Sequence, residues 1–94
     1  MGIVSDHDLE IAREIPKEYL GFTGIPHDRV IDLVERRWPS FGSRSRAELV
    51  QALLPVLVDM ENQGRQSLAV YQGLCEGIVA TWILRQRDSE TRAG

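Results

Sequence analysis

Ninety-four residues, 43% of them hydrophobic and 27% charged, are enough for one packed domain and too few for two. That balance is ordinary for a globular chain and excludes wholesale disorder. A net charge of −3 argues against a protein that coats nucleic acid, because such binding relies on a broad positive field.

In chain order, the first predicted element is a helix capped by Ser5, with Asp8 three residues on as a weaker partner in a capping box. Asp6, Asp8 and Glu10 suit the positive end of its dipole. Leu9, Ile11, Ala12 and Ile15 share one face, and Pro16 is expected to end the helix. Residues 16–25 then read as an ordered connector, with room for one helical turn around Lys17 to Leu20. Pro26 opens a second helix, where its missing N–H costs nothing. Val30, Ile31, Leu33, Val34 and Trp38 follow at helical spacing, and Pro39 stops it.

A second connector covers residues 39–45. Ser45 and Glu48 have the spacing of a capping box that would open the third helix. Its apolar stripe is Leu49, Val50, Leu53, Leu54, Leu57 and Val58. Pro55 lies inside the stripe and is expected to kink the helix rather than restart it. A break is expected near Gly64, since a helix running on from Arg46 to Arg87 would span about 63 Å, too long for a compact monomer. The last helix, from about Arg65 to Arg87, turns Leu68, Tyr71, Leu74 or Cys75, Ile78 and Trp82 inward. Gly73, Gly77 and Thr81 lie four apart beside that line and suggest close approach of another helix backbone. Residues 89–94 read as a frayed tail. The sum is an all-α fold: one compact bundle of about four helices over residues 1–94.

Chemistry is sparse. Cys75 is the only cysteine, sits in an apolar run and reads as a buried, inert thiol. It leaves no cysteine-rich zinc site and no internal disulfide. The neighbours in Asp6-His7-Asp8 and in His27-Asp28 point in different directions along a helix and do not converge on one metal ion. There is no nucleophile elbow and no phosphate-cradling glycine loop. Asp28, Asp32 and Glu35 alternate with Arg29 and Arg36 and read as solvated pairs. The chain is expected not to be an enzyme and to need no cofactor or metal.

The one strong local signal is charge. Residues 1–35 carry eight acids against three bases, whereas Arg36 to Arg46 carries four arginines and no acid. Trp38 and Phe41 lie within that basic loop, and a helix N-terminus follows it. The loop admits three readings. Its aromatics could anchor the core while its arginines pair with the chain's own acids. It could instead dock an acidic protein, since Arg and Trp dominate interface hot spots. Or it could hold phosphate or nucleic acid, although the connector is long for a helix-turn-helix and the following helix offers few polar side chains to base edges. Arginine outnumbers lysine ten to one, a bias that codon usage in a GC-rich genome would also produce.

The expected function is that of a small protein-interaction module acting by binding another protein. Arg36, Arg37, Trp38, Phe41, Arg44 and Arg46 are the candidate partner surface, and nucleic-acid or phosphate binding through the same loop is the alternative. Small acidic helical proteins of bacteria and phages often act as adaptors, inhibitors or immunity-type factors, an analogy of size and class only. Monomer and homodimer stand equally open. The N-terminus lacks the cationic start and apolar stretch of a secretory signal, and Asp6 breaks the myristoylation pattern. The longest apolar run is too short for a bilayer, so no membrane partner and a cytoplasmic location are expected.

Overall fold

The structure, a computed structural model, describes residues 4–63 and 68–93, with side chains up to Arg87. Those residues form four α-helices and no strand: α1 (Asp6–Gly21), α2 (Pro26–Arg37), α3 (Ser43–Gln63) and α4 (Leu68–Ala93). Each helix packs antiparallel on the next, and α4 closes the ring onto α1. Side-chain bonds fix the directions. Arg29 at the start of α2 reaches Tyr19 at the end of α1 and Glu61 at the end of α3. Trp82, in the second half of α4, reaches Ser45 at the start of α3. Gln72 and Glu76 of α4 both meet Arg13 of α1.

The helices form largely for the reasons the sequence suggests. The Ser5 hydroxyl accepts the Asp8 amide at 3.2 Å and donates to the Asp8 carboxylate at 2.9 Å. Pro26 opens α2, and the Trp38 amide closes it on the Val34 carbonyl ahead of Pro39. Ile11, Ala12, Ile15, Val30, Leu33, Val34, Leu49, Leu53 and Leu57 are buried in one cluster, joined by Tyr71, Cys75, Val79, Trp82 and Ile83 from α4.

Four expectations need correction. Pro16 does not end α1, which runs on to Gly21. The proline lacks one ladder bond, a cost of about 3 kcal/mol in a helix interior. Pro16 itself is buried, as are Ile15 and Tyr19. Sealing the two large side chains into the core contributes roughly 1.5–3 kcal/mol each, which outweighs the missing bond. The connector therefore shrinks to residues 22–25, where Gly24 adopts a φ of 110°, a conformation that a side chain would strain.

Ser45 does not cap α3. The helix starts at Ser43, with the Gly42 carbonyl accepting the Arg46 amide. The Ser45 hydroxyl turns across to Gln86 of α4 instead, so its polar atom is satisfied between helices rather than at a helix end. On α4, Leu74 is exposed and Cys75 takes the inward place, and the helix extends past Arg87 to Ala93. Finally, among the described residues no other helix backbone comes close to Gly73 or Gly77. A methyl group added at either would find nothing within 4 Å.

α3 passes through Pro55 without a break. The break expected at Gly64 lies outside the described residues. The Tyr71 hydroxyl nonetheless donates to Asp59, and the Trp82 indole to the Ser45 carbonyl at 2.8 Å. α4 therefore runs back along α3, and a single helix from Arg46 to Arg87 does not form.

One buried cation ties three segments together. Arg29 is 8% exposed. Its Nη1 donates to the carbonyls of Tyr19 and Phe22, its Nη2 to both carboxylate oxygens of Glu61, and its plane lies 4.2 Å from the Tyr19 ring centre. Removing one partner of a fully buried ion pair costs about 3–5 kcal/mol. Glu61 is 40% exposed, and solvent softens the loss. Arg29→Ala is expected to lower unfolding free energy by about 2 kcal/mol in urea melts, and Arg36→Ala, at an exposed pair, by under about 1 kcal/mol.

Candidate functional site

The basic loop folds inward. Trp38 is buried and its indole N–H donates to Asp8 at 3.2 Å. Phe41 is half-buried with its ring centre 4.5 Å from that of Trp82, and Trp38 meets Trp82 edge-on at 5.6 Å. Such pairs add roughly 0.5–1.5 kcal/mol each beyond the area they bury. Arg36 pairs with Asp32 one turn back at 3.1 Å and approaches Glu18, while Arg37 pairs with Glu18 and lies 3.8 Å from Glu14. Arg46 donates to the Pro39 carbonyl at 3.2 Å, and its Nε is buried without a partner. Arg44 is exposed and has no ion pair or hydrogen bond among the described residues. Helix pairing of α1 with α2 brings Glu14 and Glu18 beside Arg36 and Arg37, so two of the loop's four arginines are neutralised in space, while Arg44 and Arg46 meet no acid among the described residues.

The groups with chemical potential do not converge. Asp6, His7 and His27 are exposed, and Asp8 is engaged by Ser5 and Trp38. Among the described residues, no three of His, Cys, Asp and Glu could hold a metal ion. Burial pushes the Cys75 thiol up from 9.0 to about 12, which keeps it protonated and unreactive at neutral pH. The Tyr71 phenol is also raised, first by its bond to Asp59.

What remains is a surface. An open groove of about 510 Å³ lies between α3 and α4, floored by Gly73 and Gly77 and bounded by Ala52, Ile78 and Trp82. Along the same exposed line of α4, Val70 is 63% exposed, Leu74 47% and Leu84 42%. Glu48 and Arg85 stand at one end of the groove. The glycine line was visible in the sequence. That it faces outward was not, because the 3.6-residue period alone gives two apolar stripes on α4 and does not say which one is covered.

No protein-family model matches the chain, and neither a curated protein nor a solved structure shows significant similarity to it. Among the described residues, no helix is long and apolar enough to cross a membrane.

Cys75 should resist a disulfide reagent at pH 8 in the native state and react at once in urea. Because its folded pKa is raised, its contribution to stability is complete below about pH 9 and is lost as pH rises towards 12; urea midpoints should therefore fall over that range, and less steeply in Cys75→Ala. Gly73→Ala and Gly77→Ala should each raise the melting temperature of the monomer, by about 0.5–1 kcal/mol of stability, since alanine favours the helix and touches nothing.

Proposed function

We propose that this protein is a non-enzymatic interaction module that acts by binding another protein, and that the outer face of the α3–α4 hairpin is its docking surface. The supporting observation is the row of exposed Val70, Leu74 and Leu84 around an open, glycine-floored groove. Single exposed apolar residues are ordinary, but a contiguous set along one helix is the usual mark of an association surface. An enzyme site would need several polar groups aimed at one point in the pocket. This groove has Glu48 and Arg85 only at its end. The basic loop offers less than its sequence implied, since Arg36 and Arg37 are engaged by the chain's own carboxylates and both aromatics are packed.

The test is paired co-purification from the host. Leu74→Glu should abolish capture of the bound protein while helicity is unchanged, because the side chain is half exposed and lies outside the buried core. Arg44→Glu should leave capture intact. Loss with Arg44→Glu and retention with Leu74→Glu would instead put the docking surface on the loop. Retention on heparin that falls steeply with salt would favour the nucleic-acid reading; the expected result for this acidic chain is passage without retention.

A further inference from the structure

We propose that the occupant of the α3–α4 face is a second copy of this chain, whose own α4 lies antiparallel across it with the two-fold axis at Gly77. The inference rests on the reading of that face as a protein-docking surface and names what sits there.

The face is nearly symmetric about Gly77. Val70 lies seven residues before Gly77 and Leu84 seven after; Gly73 lies four before and Thr81 four after. All five are exposed. An antiparallel two-fold pairing centred on Gly77 therefore sets Val70 against Leu84 at both ends and small residues against small residues in the middle. Leu74, three residues before the axis, falls into the space beside Thr81 of the second copy. A two-fold interface must be self-complementary, with each contact made twice, and this arrangement of sizes satisfies that. The steps of four, three, four and three residues through 70, 74, 77, 81 and 84 are those of a helix seam that meets another helix along its length.

Its charges favour the same pairing. Exposed α3 residues Glu48, Ala52, Pro55 and Asp59 recur at helical spacing and form the other half of the face. Between Val70 and Leu84 on this side, no charged residue stands on the exposed line. Among the described residues, charges on this face occur at the ends: Glu48 and Arg85 at one, Asp59 at the other, where it receives the Tyr71 hydroxyl. Arg85 has no ion pair or hydrogen bond among the described residues. A parallel pairing would bring Arg85 against Arg85 and Glu48 against Glu48. The antiparallel pairing carries Arg85 to the Asp59 end of the other copy, so opposite charges meet and like charges separate.

The area of the face sets the strength of the pairing. The stretch from Val70 to Leu84 is about 21 Å long, and two helices side by side are about 20 Å across. That footprint of roughly 400 Å² per copy is about half that of a standard interface. It suits a reversible dimer with a dissociation constant in the micromolar range rather than an obligate one.

The experiment is sedimentation of the full chain from about 1 µM to 1 mM, a range that brackets such an affinity. The expected result is a monomer that passes into a dimer and no further. Gly77→Gln should weaken the dimer at least tenfold while the melting temperature of the monomer is unchanged or higher, since that position is open in the monomer. For orientation, Val70→Cys and Leu84→Cys variants are oxidised separately and mixed. A crosslink that forms only in the mixture is expected. A chain that stays monomeric throughout, or a dimer that Gly77→Gln leaves intact, overturns the proposal. A Val70→Cys variant that crosslinks to itself overturns the antiparallel pairing. If the chain is monomeric yet Leu74→Glu still abolishes capture of a host protein, self-association fails and the docking reading stands; if Leu74→Glu affects neither, both fail.

Discussion

Groups from three separate segments converge on the guanidinium of Arg29: the carbonyl of Tyr19 near the end of α1, the carbonyl of Phe22 in the connector, and the carboxylate of Glu61 near the end of α3. The last carbonyls of a helix have no partner within it, and a cation there also meets the negative end of the dipole. Arg29 therefore does at the end of α1 what a C-cap would do, and it does so from the next helix. The same contact sets how far α1 and α2 can splay and where α3 must finish. Tyr19 adds a phenol that donates to Glu61 and a ring beneath the cation. Its phenol is raised above the ordinary value, first by burial, so the network is most complete with the tyrosine neutral and the ion pair charged.

The opposite pole of the bundle is fixed by indoles. Trp38 and Trp82 each bury a large ring and place a single N–H on an acceptor, Asp8 for one and the Ser45 carbonyl for the other. A buried indole without such a partner would leave an unsatisfied donor, which costs more than the bond itself contributes. Both acceptors belong to the first turn of a helix, so the two tryptophans register the starts of α1 and α3 against the end of α2 and the middle of α4. With Arg29 at one pole and the indoles at the other, the ring of four helices is held at both ends, and the aliphatic cluster between them needs only to fill volume.

Helix number, the α2 boundaries and most of the core could be read from the sequence, because apolar period and terminal signals agreed there. Ser5, Pro26 and Pro39 all act locally, and local signals survive folding. The misreadings share a cause: tertiary contact overrode a local preference. Pro16 and Ser45 are both punctuation in isolation, yet burial of Tyr19 carries α1 through the first, and the reach of Gln86 draws the second into α3. Arg29 sits between Asp28 and Asp32 like any solvated residue, and nothing in its neighbours announces that its partner is Glu61, thirty-two positions away. The basic loop was legible as a charge anomaly but not as a half-neutralised one, since Glu14 and Glu18 come from a helix that meets Arg36 and Arg37 only in three dimensions.

The groove remains the feature that folding alone does not explain. Glycine in a helix interior costs about 1 kcal/mol against alanine, and a domain of this size has only about 5–15 kcal/mol in total. Glycine is warranted inside a fold where a backbone must come close, but a Cβ added at Gly73 or Gly77 would meet no atom of another element within 4 Å among the described residues. The same helix leaves Val70, Leu74 and Leu84 in water, although its other face already fills the core. Both departures lie on one line, and both would be removed by a single covering helix: the glycines would admit its backbone, and the aliphatic side chains would lose their exposed area. Neither departure is relieved by any rearrangement within the bundle, since α1 and α3 already occupy the flanks of α4. A covering helix from outside the four would relieve both at once, and the near symmetry of the face about Gly77 is why a second α4 is the element we propose for it.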